Sequence, residues 1–457
     1  MPTKSKRSRR TATEPAKAPA RAAVPASAQA DRRTTLRGIE TCADECSTDE
    51  ARGRLHALAR AMARGAGTAR RAAAVEAAIA AAVDDAVACV PDRWACAEAA
   101  AWALARLARR RPASGSAGRH LERLVAEARR GVAALADRDT RPARFVIVLA
   151  RLFADVDACC DFEPAAAAAL GEEIARLVTA DGAVVLAGST AVVERVCRWT
   201  AVRAAALELG GTAWDDDAER RWSAAATSTL RLLGPRGHGL AGGGRLRDAV
   251  TAPLLDAMSR AKAPRVRRTA RALRRGDTPR GLLSPDHHDP AAAVAVIRSG
   301  WERDAVRVTL EYRDAAPRLE IAVGDRLLVD GAWEWDVVAR GRPLDAEGAW
   351  TVSCWETDHK AVFVEIAAPL AGGLRLEREV VMLRRERIVL LADAIVPATE
   401  GPGGTDAGDL AHRSTVALAP GLEAEAAAET REVLVYDGGM RLMALPLALP
   451  EWRTVGI

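Results

Sequence analysis

Tyrosine and phenylalanine are nearly missing from this chain: 2 Tyr and 4 Phe stand against 11 Trp in 457 residues. Tryptophan must therefore supply most of the aromatic packing, and any chemistry that needs a phenol has only Tyr312 and Tyr436 to draw on. No run of 18 apolar residues occurs, so no transmembrane helix is expected. The 8 cysteines include no CxxC pair and no zinc-type spacing, and only Cys159 and Cys160 are adjacent. Most sit beside apolar residues, the setting of small buried hydrophobes in a reducing compartment rather than of a disulfide framework. GxxxxGK[ST] is absent too, so the glycine-rich stretch 234–244 is not a phosphate loop. No cofactor and no metal is expected.

Charge excludes less than it first suggests. The net charge is +5, and much of that excess lies in the first 40 residues, leaving the rest near neutral without a basic face. Residues 1–33 are basic and rich in Pro, Ala and Ser, and they lack the apolar core of a secretory signal. They read as a disordered tail, with Lys4, Lys6, Arg7, Arg9 and Arg10 free for a weak nucleic-acid or anionic-surface contact. The localisation expected is cytoplasmic, and the sequence does not specify an oligomeric state.

What the chain does have is a change of hydrophobic period. From 34 to 275 apolar residues recur at helical spacing, as in Val192, Val193, Val196, Trp199, Val202 and Ala206. Asp92 stands where it can cap a helix whose apolar face takes Trp94, Trp102, Leu104 and Leu107. A faint match between 174–182 and 229–237, each a helix end running into a Gly turn, suggests stacked helical hairpins, as in a solenoid or α/α toroid. Residues 276–291 read as a linker. From 292 to 457 the period is two: Val306, Val308, Leu310 and Tyr312 alternate with Arg307, Thr309 and Glu311. Many short strands without intervening helices predict an antiparallel β-sandwich, so the fold class is α+β multidomain. The chain stops at EWRTVGI without tapering, which suggests truncation of a longer parent.

The seam between the halves carries a family resemblance. Residues 297–305 (IRSGWERDA) resemble the opening of the sandwich in heparinase II/III-like proteins, where an RSGW…DA phrase precedes the first strand. Residues 325–333 (DRLLVDGAW) look like that family's strand and turn, and 376–393 are similar to its paired strands ending in Asp. Together these cover about a hundred residues of the second half, while the helical half matches in architecture. The resemblance implies a polysaccharide lyase that cleaves uronic-acid polymers by β-elimination, with an acidic polysaccharide as partner.

The departures are chemical. Active members carry an H-x-H-x-D segment between the first two sandwich strands; this chain has 312–320 (YRDAAPRLE) there, with no His. The family's toroid also supplies a Tyr as acid and base, and the helical half here contains none. β-Elimination needs the uronate carboxylate neutralised and a base beside the C5 proton. A divergent, catalytically degenerate carbohydrate-binding or scaffolding relative, using the cleft between toroid and sandwich, is therefore the first expectation. The alternative is an active lyase with rearranged groups.

For that alternative Tyr312 and His238 are the acid–base candidates, with Arg313 helping the phenolate form and Arg236 meeting the acidic ligand. Trp333 and Trp335, two residues apart on one strand face, are the candidate sugar-stacking residues, near Trp350 and Trp355. Each has a plainer use: core packing for the tryptophans, an ordinary surface loop for Arg236 and His238. Asp286, His287, His288 and Asp289 have metal-ligand chemistry, but four adjacent ligands cannot all reach one ion without strain.

Overall fold

The computed structural model describes residues 32–447 except 65–67, 89–91, 111–114, 180–181, 187, 235–239, 242–243, 246–247, 399–408 and 429. Residues 1–31 of the basic tail, Arg236 and His238 lie outside the described residues, and Arg32 and Arg33 open the first helix.

Helices come first: α1 (Arg32–Glu45), α2 (Asp49–Arg64), α3 (Ala69–Ala88), α4 (Arg93–Arg110), α5 (Gly115–Ala136), α6 (Ala143–Leu152), α7 (Phe162–Leu177), α8 (Ser189–Glu208) and α9 (Asp216–Thr229). A hairpin of two-residue strands, β1 (Leu240–Ala241) and β2 (Gly244–Arg245), precedes α10 (Asp248–Met258) and α11 (Pro264–Arg275). Helix α1 packs on α4, α4 on α6, α6 on α8 and α8 on α10, and α10 returns to α1. These five close an inner ring, and the remaining helices lie outside it. The sequence explains the division. Helices apolar all round must be buried all round, and Ala143–Ala150 of α6 are buried without a break. Alanine on α4, at positions 97, 99, 100, 101 and 103, lets neighbours approach closely. Gly38 of α1 shows how closely: a Cβ there would stand 2.7 Å from the Trp102 indole.

Each inner helix from α4 on pairs with the helix that follows it, so the units are hairpins. The two matched segments fall at the ends of α7 and α9, outer helices of successive hairpins. Helix α11 ends with Arg274 and Arg275 at the negative end of its dipole and Gly276 in the left-handed conformation (φ 72°).

The strands that follow are β3 (His287–Asp289), β4 (Val294–Arg298), β5 (Val306–Glu311), β6 (Arg318–Val323), β7 (Arg326–Ala339), β8 (Arg342–Pro343), β9 (Thr351–Thr357), β10 (Ala361–Leu370), β11 (Leu374–Leu383), β12 (Ile388–Pro397), β13 (Leu410–Leu418), β14 (Glu423–Ala426), β15 (Val433–Tyr436) and β16 (Met440–Ala444). All pairings are antiparallel. The large sheet runs β13-β7-β6-β5-β4-β3, with β8 on β7; a second runs β12-β11-β10-β9, and a small third is β14-β15-β16.

Alternation along β4 serves two cores at once. Val294 and Val296 pack into the helical core, while Ala295 and Ile297 face the second sheet. Around these valines the face toward the ring is polar and tightly bonded. Glu311 accepts from the Ser189 amide at the start of α8, Arg307 donates to Leu232 O (2.6 Å), and Arg298 donates to Arg231 O (2.7 Å) and Leu233 O.

Three features differ from the reading of the sequence. Strand β3 forms inside the stretch read as linker, because residues 287–289 pair with 294–296 of β4. The Asp330-Gly331 pair looks like a turn, yet β7 runs straight through it. Gly331 serves close approach: a Cβ there would come 2.8 Å from Ala417 of the facing strand. The carboxylate of Asp92, just before α4, turns away to accept four bonds from Ser47 and Thr48 ahead of α2, at 2.7–3.0 Å. Those bonds outweigh the burial that would raise its pKa, and hold it below the ordinary value.

Candidate functional site

Two chambers open inside the helical ring. The first, about 500 Å³, is lined by Arg37, Gly38 and Thr41 of α1, Trp102 of α4, Ala204, Ala205 and Glu208 of α8, Asp256 of α10, and Arg260 and Arg274. The second, about 620 Å³, takes Asp92, Trp94, Arg141, Phe145, Glu194 and Arg198. Asp44, Glu98, Arg144 and Ala201 line both, so the chambers meet there.

Arg144 organises that junction. Its Nε donates to Glu98 Oε2 at 2.7 Å, Nη1 donates to Glu45, and Nη2 lies 3.4 Å from the Cys42 sulfur. Trp102 Nε1 donates to the other oxygen of Glu98 at 3.3 Å. Burial opposes charge on Arg144, but Glu45 and Glu98 outweigh it and hold the guanidinium protonated. Burial also pushes the Cys42 thiol well up, so it is inert as a nucleophile.

Around this fixed core lie groups that can take a ligand. Trp94 is half-buried, stacked on Phe145 (centroids 6.0 Å apart, 23° between planes) with the Arg93 guanidinium 4.8 Å over its ring. Arg141 is held in a two-bond fork by Asp139 (2.8 and 2.7 Å). No carboxylate among the described residues lies within ion-pairing distance of Arg198, and burial, with neighbouring Arg195, holds its pKa below the ordinary value. A half-buried guanidinium without an ion-pair partner among the described residues, lining the same chamber as an indole, suits a ring that is apolar on one side and anionic at its edge. No Tyr or His lines either chamber among the described residues.

The residues singled out from the sequence sit elsewhere. Tyr312 is 3 % exposed and belongs to the core between the two sheets, turned away from the ring. Its hydroxyl meets His288 Nε2 at 2.8 Å, and burial, then Asp289, pushes its pKa up to about 12. Arg313 does not assist it: that guanidinium donates to Ala291 O at 2.8 Å. Trp333 is 2 % exposed, with its Nε1 on Ser414 Oγ (2.8 Å) and Arg378 over its ring at 4.5 Å, and Trp335 packs half-buried on the same core. Trp333 is therefore enclosed in the core, and Trp335 keeps part of its ring exposed. Adjacent ligands on β3 point to opposite faces, and no cluster of three or more metal-ligating side chains occurs among the described residues. Arg144 was not singled out from the sequence. The signal was an arginine inside the otherwise apolar run ARFVIVLA of α6.

No family model matches the sequence, and no curated protein is similar to it. Solved structures match in shape. The heparan sulfate lyase HepC from Pedobacter heparinus aligns with TM-score 0.53 at 11 % identity, over 82 % of this chain and 71 % of that one. A heparinase III aligns with TM-score 0.55 at 10 % identity over 90 % of each chain, and another with 0.53 at 11 % over 88 % and 85 %. The fold is that of the heparinases. This chain and those structures share the arrangement of helical toroid and β-sandwich at 10–11 % identity. No described helix is long and apolar enough to cross a membrane.

Proposed function

We propose that this chain is a heparinase-like protein that holds an acidic glycan in the cleft of its helical ring without cleaving it. The observation that carries the reading is the make-up of the cleft: Arg141, Arg198 and Trp94 supply guanidinium and indole groups, and no phenol or imidazole stands among its described residues. Guanidinium can hold and neutralise a uronate carboxylate, which is half of what elimination requires. The other half is a base at the C5 proton, and arginine cannot serve, because it stays protonated. Of the carboxylates lining the chamber, Glu45 and Glu98 are committed to Arg144 and Asp92 to Ser47 and Thr48, so a base would have to come from Asp44 or Glu194. The alternative, a lyase with rearranged groups, draws on Tyr312 and His238; the Tyr312 hydroxyl lies between the sheets on His288, and His238 lies outside the described residues.

Calorimetric titration with oligosaccharides from heparan sulfate and other uronate polymers, alongside ultraviolet detection of unsaturated ends, tests both readings. Binding without product is expected, weakened about tenfold or more in Arg198→Ala by loss of a charged contact. Accumulation of unsaturated ends would overturn the proposal, as would binding indifferent to Arg198 and Trp94.

A further inference from the structure

Between residues 260 and 280 the sequence holds eight arginines and one lysine against a single acid, Asp277. Helix α11 spans the middle of this stretch. Val266, Thr269, Ala270, Ala272 and Leu273 bury one face. Arg265, Arg268, Arg271 and Arg275 follow one another at three- and four-residue steps on the opposite, exposed side. The row spans about 15 Å at about 1.5 Å per residue.

Little inside the protein neutralises it. Arg260 and Arg274 share Asp256, at 2.5 and 3.4 Å. Arg267, Arg268 and Arg271 donate only to backbone carbonyls, of Ala261 (2.9 Å), Gly281 (3.4 Å) and Ser259 (3.2 Å), which leaves their charge in place. Lys262, Arg265, Arg275 and Arg280 reach no carboxylate among the described residues. Like charges one turn apart on a helix repel, and a polyanion laid along the row would relieve that repulsion. Arginine rather than lysine suits planar carboxylate and sulfate groups, which it can grip with two bonds.

The row is continuous with the ring cleft, because Arg260 and Arg274 also line the first chamber beside Arg37. We propose that α11 is an exosite for an acidic polysaccharide whose end occupies the cleft and whose chain leaves past Arg260 and Arg274 along Arg265, Arg268, Arg271 and Arg275. This rests on the reading of the cleft as a glycan site. A glycan fits better than a nucleic acid: residues 260–280 contain no aromatic side chain on which a base could stack. A chamber of about 500 Å³ takes a group the size of a small ligand, not a duplex.

The test compares the full chain with Arg265→Glu/Arg275→Glu, using a heparan sulfate disaccharide and a long heparan sulfate oligosaccharide as labelled probes. Neither side chain bonds to a described residue, and Arg275→Glu gives up only a charge at the end of the α11 dipole, so the melting temperature should fall by no more than a few degrees. Affinity for the long probe should fall about tenfold or more, with the disaccharide unaffected, and added salt should weaken the wild type more than the variant. Equal affinity of both proteins for the long probe would overturn the exosite and leave the cleft reading intact. Long-probe binding that falls in the variant, with no disaccharide binding in either protein, would support α11 and sink the cleft reading. Tighter wild-type binding of a DNA strand of matched charge would overturn the assignment to a glycan.

Discussion

The Tyr312 hydroxyl meets His288 Nε2 at 2.8 Å inside the sandwich, on the sheet face turned away from the helical ring. The His288 ring also stacks on Trp355 of the second sheet, centroids 5.2 Å apart and planes 26° from parallel. The pair thus ties the two sheets together at their β3 and β9 edges. In Tyr312→Phe the histidine loses its partner, and a cost of about 1–2 kcal/mol is expected in urea unfolding. Glycan affinity should not change. A loss of affinity at unchanged stability would return Tyr312 to the binding site.

Acid should weaken the same junction. Burial holds the His288 pKa below its ordinary value, so the unfolded chain takes up this proton before the folded one does. The stability due to neutral His288 is fully present above about pH 6.5 and is lost as pH falls through that value toward the folded pKa. Wild type should therefore lose more melting temperature than His288→Phe between neutral pH and about pH 5. Parallel losses in the two proteins would mean that the fold does not prefer the neutral ring.

Trp333 is a packing residue, and its replacement should register as stability. Arg378, fully buried, lies between the Trp333 and Trp350 rings (4.5 and 5.4 Å), donates to Trp333 O and Glu334 O, and faces Asp393 at 3.2 Å. Burial pulls its pKa down to about 10, and Asp393 works the other way. Trp333→Ala removes both the indole volume and a cation–π face, so a loss of about 3–5 kcal/mol is expected. Retained stability with weakened glycan binding would restore the sugar-stacking role.

The order of helices and sheets was legible because it rests on period alone, which changes within a few residues of Ala292. Single strands were legible where alternation was clean, as along β5 and β11. They were not at β3, whose three residues carry too little pattern, nor across Asp330-Gly331, where turn chemistry stood in for a close backbone contact. The cleft was not legible at all. Periodicity says which face of a helix is buried, and it does not say that the buried faces of α1, α4, α6 and α8 bring Glu45, Glu98, Arg144 and Arg198 to one place. The arginine density of α11 was plain in the sequence, but a near-neutral total concealed it.

Arg144 should be the most sensitive residue of the ring. Arg144→Met fits a similar volume but leaves the Glu98 carboxylate, 5 % exposed, without its cation. A loss of about 3–5 kcal/mol is expected, because an uncompensated buried charge costs far more than the pair contributes. Adding Glu98→Gln should recover part of it by removing that charge. A double variant as unstable as the single one would show that Arg144 acts through packing alone.

Gly38 tests the closeness of the ring itself. A methyl group there would stand 2.7 Å from the Trp102 indole, whose ring is fully buried and tied to Glu98. The indole cannot swing aside without giving up that bond, so α1 must move away from α4. Gly38→Ala should then cost about 1–3 kcal/mol, as overpacking does, even though alanine is the better helix former by about 1 kcal/mol. Trp102→Leu in the same chain should make Gly38→Ala nearly neutral, since the clash leaves with the ring. If Gly38→Ala stabilises the wild-type chain, helix propensity has won and the contact between α1 and α4 is looser than the Trp102 position requires.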